Sequence, residues 1–193
     1  ISCQVMVYRN DMNGGTNTFK DVAASLAASI FKENGIQEFC IASTGNTATA
    51  YSRYLSLAGI KFTVFVPDCV CQDTVDAIRS HGQNIVVCKG DYAFAKKKAA
   101  EFHEQHQVMI SAGNIDPIRV EAKKTMVFEF LRQMGKMPDI YMQAVSGGTG
   151  PIAVDKGVRE LQPTFPEVTL PRLLLVQQDT CDPMVQAWNT AKQ

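Results

Sequence analysis

The 193-residue chain balances 19 Lys and Arg against 19 Asp and Glu, and 46% of its residues are apolar. It is long enough to bury a real core in one large or two small domains, and without a basic excess it suits neither nucleic acid nor an anionic membrane surface. No apolar run reaches membrane-spanning length and the opening lacks a signal-peptide plan, so the expected location is the cytoplasm.

In chain order, the first strand candidate is CQVMVY (3–8). A helix opens near Lys20, with an apolar stripe of Val22, Leu26 and Ile30, and is expected to stop at Gly35. EFCIAS (38–43) reads as a strand, followed by a helix bearing Tyr51, Tyr54, Leu55 and Ala58 and stopped at Gly59. KFTVFVP (61–67) and NIVVCK (84–89) are strands flanking a helical stretch that ends near Gly82. KKKAAEFHEQHQ (96–107) leads to the strand QVMIS (107–111), and Val127, Phe130, Leu131 and Met134 mark a helix ending at Gly135. DIYMQAV (139–145) and RLLLVQQ (172–178) close the series, joined across the proline-rich LQPTFPEVTLPRLLL; DPMVQAWNTAKQ (182–193) is a last helix. Each strand run is apolar on both faces, as in sheets covered by helices on both sides. The alternation predicts an α/β fold with parallel sheets.

The six cysteines (Cys3, Cys40, Cys69, Cys71, Cys88, Cys181) show no C-x-x-C pair, so reduced and largely buried thiols are expected. Cys69 and Cys71 with His81, or His103 and His106 with Glu101 and Glu104, offer metal ligands. The simpler readings are core thiols, a solvated helix face, and a histidine favoured by a helix C-terminus; no metal is expected. Tyr51, Tyr54 and Trp188 are assigned to core packing.

In parallel α/β sheets ligands bind where strands give way to helices. Three such turns stand out. In AVSGGTGPIAVDKG, residues Ser146, Gly147, Gly148, Thr149 and Gly150 precede a helix with Pro151 near its start. Glycines there let backbone N–H groups meet a phosphate at the positive end of the helix dipole, although a tight turn without ligand fits equally. In IASTGNTATA, Ser43, Thr44, Asn46 and Thr47 supply more hydrogen-bonding groups than the one a helix cap requires, which suits a small carboxylate; capping plus solvation is the alternative. In TNTFKDVAAS, Thr18 and Asp21 stand in a capping-box-like relation that puts Lys20 in the first helical turn. The dipole there disfavours a charged amine, which suits Schiff-base chemistry, while a solvated lysine is the plain alternative.

Taken together the three turns resemble the fold type II pyridoxal phosphate enzymes, the group of the tryptophan synthase β-subunit and cysteine synthase. The threonine synthases are the nearest branch. TNTFKD is similar to the family's lysine motif, ASTGNTATA to its Ser-Thr-Gly-Asn-Thr loop, and SGGTG to its phosphate cradle. DPIRVEAKKTMVFEFLRQMGKMPD resembles a threonine synthase segment running roughly Asn-Pro-x-Arg-x-Glu-Gly-Gln-Lys-Thr. The resemblance implies pyridoxal 5′-phosphate as cofactor, held covalently by Lys20, with Asn46 on the pyridoxal 3′-oxygen and Ser146, Gly147, Gly148, Thr149 and Gly150 around its phosphate. Ser43, Thr44 and Thr47 would take the substrate carboxylate and Arg119 its phosphate.

The implied reaction is threonine synthesis from O-phosphohomoserine and water, with Lys20 as the base. The first rival is a cysteate synthase-type replacement on O-phosphoserine by sulfite; a rival of another class is an α/β module that binds phosphate and has lost catalysis. The chain departs from the branch at Val22, Asp116, Ala122, Lys123 and in the 147–149 loop, around substrate recognition more than around the cofactor. The family also implies a homodimer and two α/β subdomains with the cofactor between them: 22–112 as the smaller, 1–21 plus 113–193 as part of the larger. The partner of the pyridine nitrogen is expected beyond Gln193, on a longer protein of which this sequence is a part.

Overall fold

Alternating short apolar runs and helical periods build, in the computed structural model, two units, Ile1–Ile118 and Arg119–Gln193; residues 3–191 are described. In the first unit the order is α1 (Lys20–Glu33), β1 (Glu38–Ala42), α2 (Asn46–Ala58), β2 (Lys61–Pro67), α3 (Gln72–Ser80), β3 (Asn84–Cys88), α4 (Tyr92–His106) and β4 (Met109–Ile110). The four strands form one parallel sheet in the order β3-β2-β1-β4, with Phe39 opposite Phe62 and Ile41 opposite Val64.

Side chains alternate across these strands and so feed two cores. On one face Phe39, Ile41, Phe62, Val64 and Val66 pack with Phe31, Tyr51, Leu55 and Ile78. On the other Cys40, Phe65 and Cys88 meet Ala95, Ala99 and Val108. Burial of each large side chain contributes about 2 kcal/mol, before the cost of ordering it. The ring of Phe39 lies 4.9 Å from Phe31 and 5.9 Å from Phe62, within the range of favourable aromatic pairs.

The face α1 buries is not the expected one. Ala23, Ala24, Ala27, Ala28 and Phe31 are buried, while Val22, Leu26 and Ile30 are only partly covered. Helix α1 packs closely along α2, and alanines let two helix backbones approach where leucine or isoleucine would hold them apart. Helix α2 ends where expected, on Gly59 at φ 75°, a left-handed position that glycine takes without steric cost.

The run at 3–8 is a second correction, for it forms no strand. Val5 and Val7 are largely exposed, and the sheet's outer strands β3 and β4 take no ladder from it. β-propensity without a partner strand does not make a strand.

The second unit contains α5 (Pro117–Lys123, whose first two residues are counted with the first unit), α6 (Thr125–Met134), β5 (Ile140–Ala144), α7 (Thr149–Leu161), β6 (Arg172–Val176) and α8 (Pro183–Ala191). Strands β5 and β6 pair in parallel. Their inner face and the predicted stripe of α6 meet in one cluster, where Val127 and Phe130 pack with Met126, Met137, Val154, Val158 and Val168. The outer face, with Ile140, Met142, Leu174 and Val176, is apolar too, as the sequence reading expects, and the described residues leave it exposed. Among the described residues no helix is long and apolar enough to cross a membrane.

Candidate active site

Lys20 is the first residue of α1, and the chain before it is tied down by side chains. The Thr18 hydroxyl accepts from the Lys20 backbone N–H at 3.0 Å. Asp21 reaches back to accept from Thr18 N–H at 3.4 Å, so Thr18 and Asp21 are joined reciprocally as in a capping box, although the helix N-cap is Phe19, which has no side-chain cap of its own. Asp21 also accepts from the backbone N–H and the hydroxyl of Thr16, both at 2.7 Å. This carboxylate is only 3% exposed, and three converging donors offset its desolvation. Gly15 makes the arrangement possible, since a Cβ there would lie 2.4 Å from the Tyr54 hydroxyl and 2.8 Å from the Asp21 carboxyl. Burial first, and the charge of Asp21 second, push the Tyr54 phenol above its usual range. Asn13, Gly14, Asp21, Val22, Ser25 and Tyr54 line an open hollow of about 210 Å³ beside this turn. The Lys20 ammonium itself stands 4.2 Å from the centre of the Phe19 ring.

The second predicted turn follows β1 into α2. Gly45 is the N-cap and no side chain caps the helix. The expectation that one of Ser43, Thr44, Asn46 and Thr47 would do so is corrected: glycine needs no side chain to adopt the entry conformation, and Gly45 C=O accepts from Ala48 N–H at 2.8 Å. All four polar side chains remain uncommitted to any described residue. Gathered at the carboxyl end of a parallel strand, they offer three hydroxyls and an amide to a ligand.

The third turn lies in the second unit. Helix α7 starts at Thr149 with Gly148 as its N-cap at φ 71°, again without a side-chain cap, and Pro151 is its third residue rather than its first. A Cβ on Gly148 would lie 2.4 Å from Met184 Cε, and one on Gly150 2.3 Å from Gln143 Oε1. Backbone therefore approaches its neighbours where side chains could not, and the first N–H groups of α7 stay clear of side-chain competition. The donor set fits a phosphate monoester. Arg119 is buried on α5. Lys123, one turn on and 3% exposed, donates to Thr149 Oγ1 at 2.5 Å. Ser146 is exposed at the mouth of the loop.

Thus Lys20, Ser43, Thr44, Asn46 and Thr47 sit on the first unit, and Arg119 and Ser146–Gly150 on the second. The sequence reading missed the depth of Asp21, the place of Tyr54 beside it and the inward course of Lys123. A Gly-Gly before the lysine motif was the one visible signal for the first two.

Several side assignments change. Cys3, Cys69, Cys71 and Cys181 are exposed and only Cys40 and Cys88 are buried, all six as free thiols. Cys69 and Cys71 lie in the exposed loop after β2 rather than in the core. Burial pushes the Cys40 thiol up to about 11, with Glu38 adding to it, which makes it inert. Trp188 is 64% exposed on α8, a helix with no buried residue, and is not core. His81 does end α3, but burial and then the charge of Arg53 lower its pKa, against the helix dipole. Among the described residues no three His, Cys, Asp or Glu side chains gather as a metal site.

A family model for pyridoxal-phosphate dependent enzymes matches residues 1–193. The threonine synthase of Mycobacterium leprae is 30% identical over 176 residues, 88% of this chain and 48% of that protein. The cysteate synthase of Methanothrix thermoacetophila is 28% identical over 176 residues, 90% of this chain and 42% of that one. The chain spans about half the length of the curated relatives it matches. Among solved structures, the processed threonine deaminase isoform 2 of Solanum lycopersicum superposes with a TM-score of 0.78 at 18% identity, over 95% of this chain and 51% of that one. O-ureido-L-serine synthase superposes with a TM-score of 0.75 at 17% identity, over 90% and 55%.

Proposed function

Because the chain belongs to the pyridoxal-phosphate dependent enzyme family and has the α/β fold of its fold type II members, we propose that it forms threonine and phosphate from O-phosphohomoserine and water. The cofactor is pyridoxal 5′-phosphate, which when bound supplies an electron sink for charge developing at the amino acid's α-carbon. Lys20 would hold it covalently, Asn46 would face its 3′-oxygen, and Ser146, Gly147, Gly148, Thr149 and Gly150 would surround its phosphate.

The observation that carries this reading is the cluster of Ser43, Thr44, Asn46 and Thr47, four polar side chains at the junction of β1 and α2, none of which caps the helix. Ser43, Thr44 and Thr47 bind the substrate carboxylate and so orient the α-carbon. Arg119 presents a guanidinium to the substrate phosphate, whose planar fork suits a tetrahedral oxyanion. Lys20 Nζ takes the α-proton and then a β-proton; phosphate departs from the γ-carbon, which gains a proton to become the methyl group, water adds its hydroxyl at the β-carbon, and Lys20 returns a proton to the α-carbon. Once protonated, that amine rests against the face of Phe19, where the ring's negative quadrupole stabilises it.

We place the smaller subdomain at 22–112 and assign 1–21 plus 113–193 to the larger, in a cytoplasmic homodimer. The similarity to cysteate synthase supports a second reading, replacement of the phosphate of O-phosphoserine by sulfite. Offering the intact protein each substrate separates the two. Threonine and phosphate are expected from O-phosphohomoserine alone; phosphate released only from O-phosphoserine, and only with sulfite, would sink the first reading.

A further inference from the structure

We propose that Lys123 is the cation of the phosphate monoester site at the start of α7, acting through Thr149. The inference rests on the cofactor reading above and adds a residue to it. Two consecutive lysines behave differently. Lys124 joins an outer network with Glu121 and Glu160, and Glu160 is nearly half exposed. Lys123 turns inward, is 3% exposed, and reaches the hydroxyl of the first residue of α7.

An ammonium can only donate, so Thr149 Oγ1 is the acceptor in this bond. The hydroxyl therefore keeps its own proton for another acceptor. Lys123 thus makes Thr149 a donor at the mouth of a helix whose first N–H groups are also donors. The glycine loop presents neutral dipoles; Lys123 adds a full positive charge beside them, in surroundings where water screens it poorly. A phosphate monoester dianion is the ligand that such a set of donors and charge favours. It comes either from the cofactor or from a phosphorylated amino acid.

The intact protein, stripped of cofactor, is titrated with pyridoxal 5′-phosphate and with pyridoxal, as wild type, Lys123→Gln and Lys123→Arg. Loss of one charge-assisted interaction is expected to weaken pyridoxal 5′-phosphate roughly 10- to 100-fold in Lys123→Gln. Pyridoxal should bind unchanged, and Lys123→Arg should recover most of the loss. The phosphorus resonance of bound cofactor should also titrate at higher pH in Lys123→Gln, because a nearby cation favours the dianion; a lysine that only packs the fold would not move it.

If the cofactor is unaffected while the variant loses O-phosphohomoserine and keeps homoserine, the cation serves the substrate's phosphate and the proposal stands. Equal weakening of pyridoxal and pyridoxal 5′-phosphate, or no change for any phosphorylated ligand, overturns it. A wild type that binds no pyridoxal 5′-phosphate would instead overturn the reading on which it rests.

Discussion

Replacing Lys20 with alanine is expected to remove the protein's visible absorbance and to lower turnover at least about 10²- to 10⁴-fold, the range that a positioned proton-transfer group contributes. The substitution removes the contact with Phe19 from a half-buried side chain but leaves the backbone of the turn intact. Alanine favours the first turn of a helix, and the Thr18 hydroxyl still accepts the backbone N–H of residue 20. The folded state should therefore survive, and thermal melting should stay near that of the wild type. Borohydride reduction of the wild type should fix the cofactor's mass on the peptide containing Lys20. A reduced adduct on another lysine, or a variant that keeps its colour and turnover, would show that Lys20 is not the attachment point.

The second large effect is expected at Asp21, and it is structural. Its carboxylate accepts from Thr16 twice and from Thr18 once, and it is nearly inaccessible to water. Asp21→Ala leaves three donors facing a cavity, at a cost of roughly 2–4 kcal/mol. Asp21→Asn conserves the shape, its carbonyl can still accept from the Thr16 and Thr18 N–H groups, and its NH₂ can donate to the Thr16 hydroxyl, so it should be the milder variant. Asp21→Ala should melt roughly 5–15 °C lower, and Asp21→Asn should lose less. Both should also bind the cofactor more weakly than their loss of stability explains, since the turn that presents Lys20 loosens. If Asp21→Ala melts within a degree of wild type, the hydrogen bonds of this side chain are not what holds that turn.

Much of this was legible in the sequence because it depends on local chemistry. The strands from EFCIAS to RLLLVQQ carry their β-branched and apolar runs openly, and Gly59 and Gly135 mark helix ends because few other residues take positive φ. Thr18 and Asp21 advertise a cap by type and spacing alone. What the sequence hid depends on partners distant in the chain. Hydropathy ranks Val22, Leu26 and Ile30 above alanine, yet α1 turns Ala23, Ala24, Ala27 and Ala28 inward because α2 lies close against it. CQVMVY has the composition of a strand and no neighbour to make it one. Trp188 reads as core until α8 is seen to bury nothing. Lys123 stood out only as a departure from the threonine synthase segment, and only the fold puts Thr149 within its reach.

The unequal cores of the two units have a dynamic consequence. Within the 193-residue chain taken by itself, the sheet of the first is packed on both faces, whereas β5 and β6 rest on a single cluster. Local opening should thus be cheaper in the second unit, and its amides should exchange with solvent deuterium sooner than those of β1 and β2. The glycine loop that leads into α7 belongs to this looser body. A ligand gripped there closes part of the ensemble that would otherwise fluctuate, so its occupancy should slow exchange along α7 before it alters the sheet of the first unit.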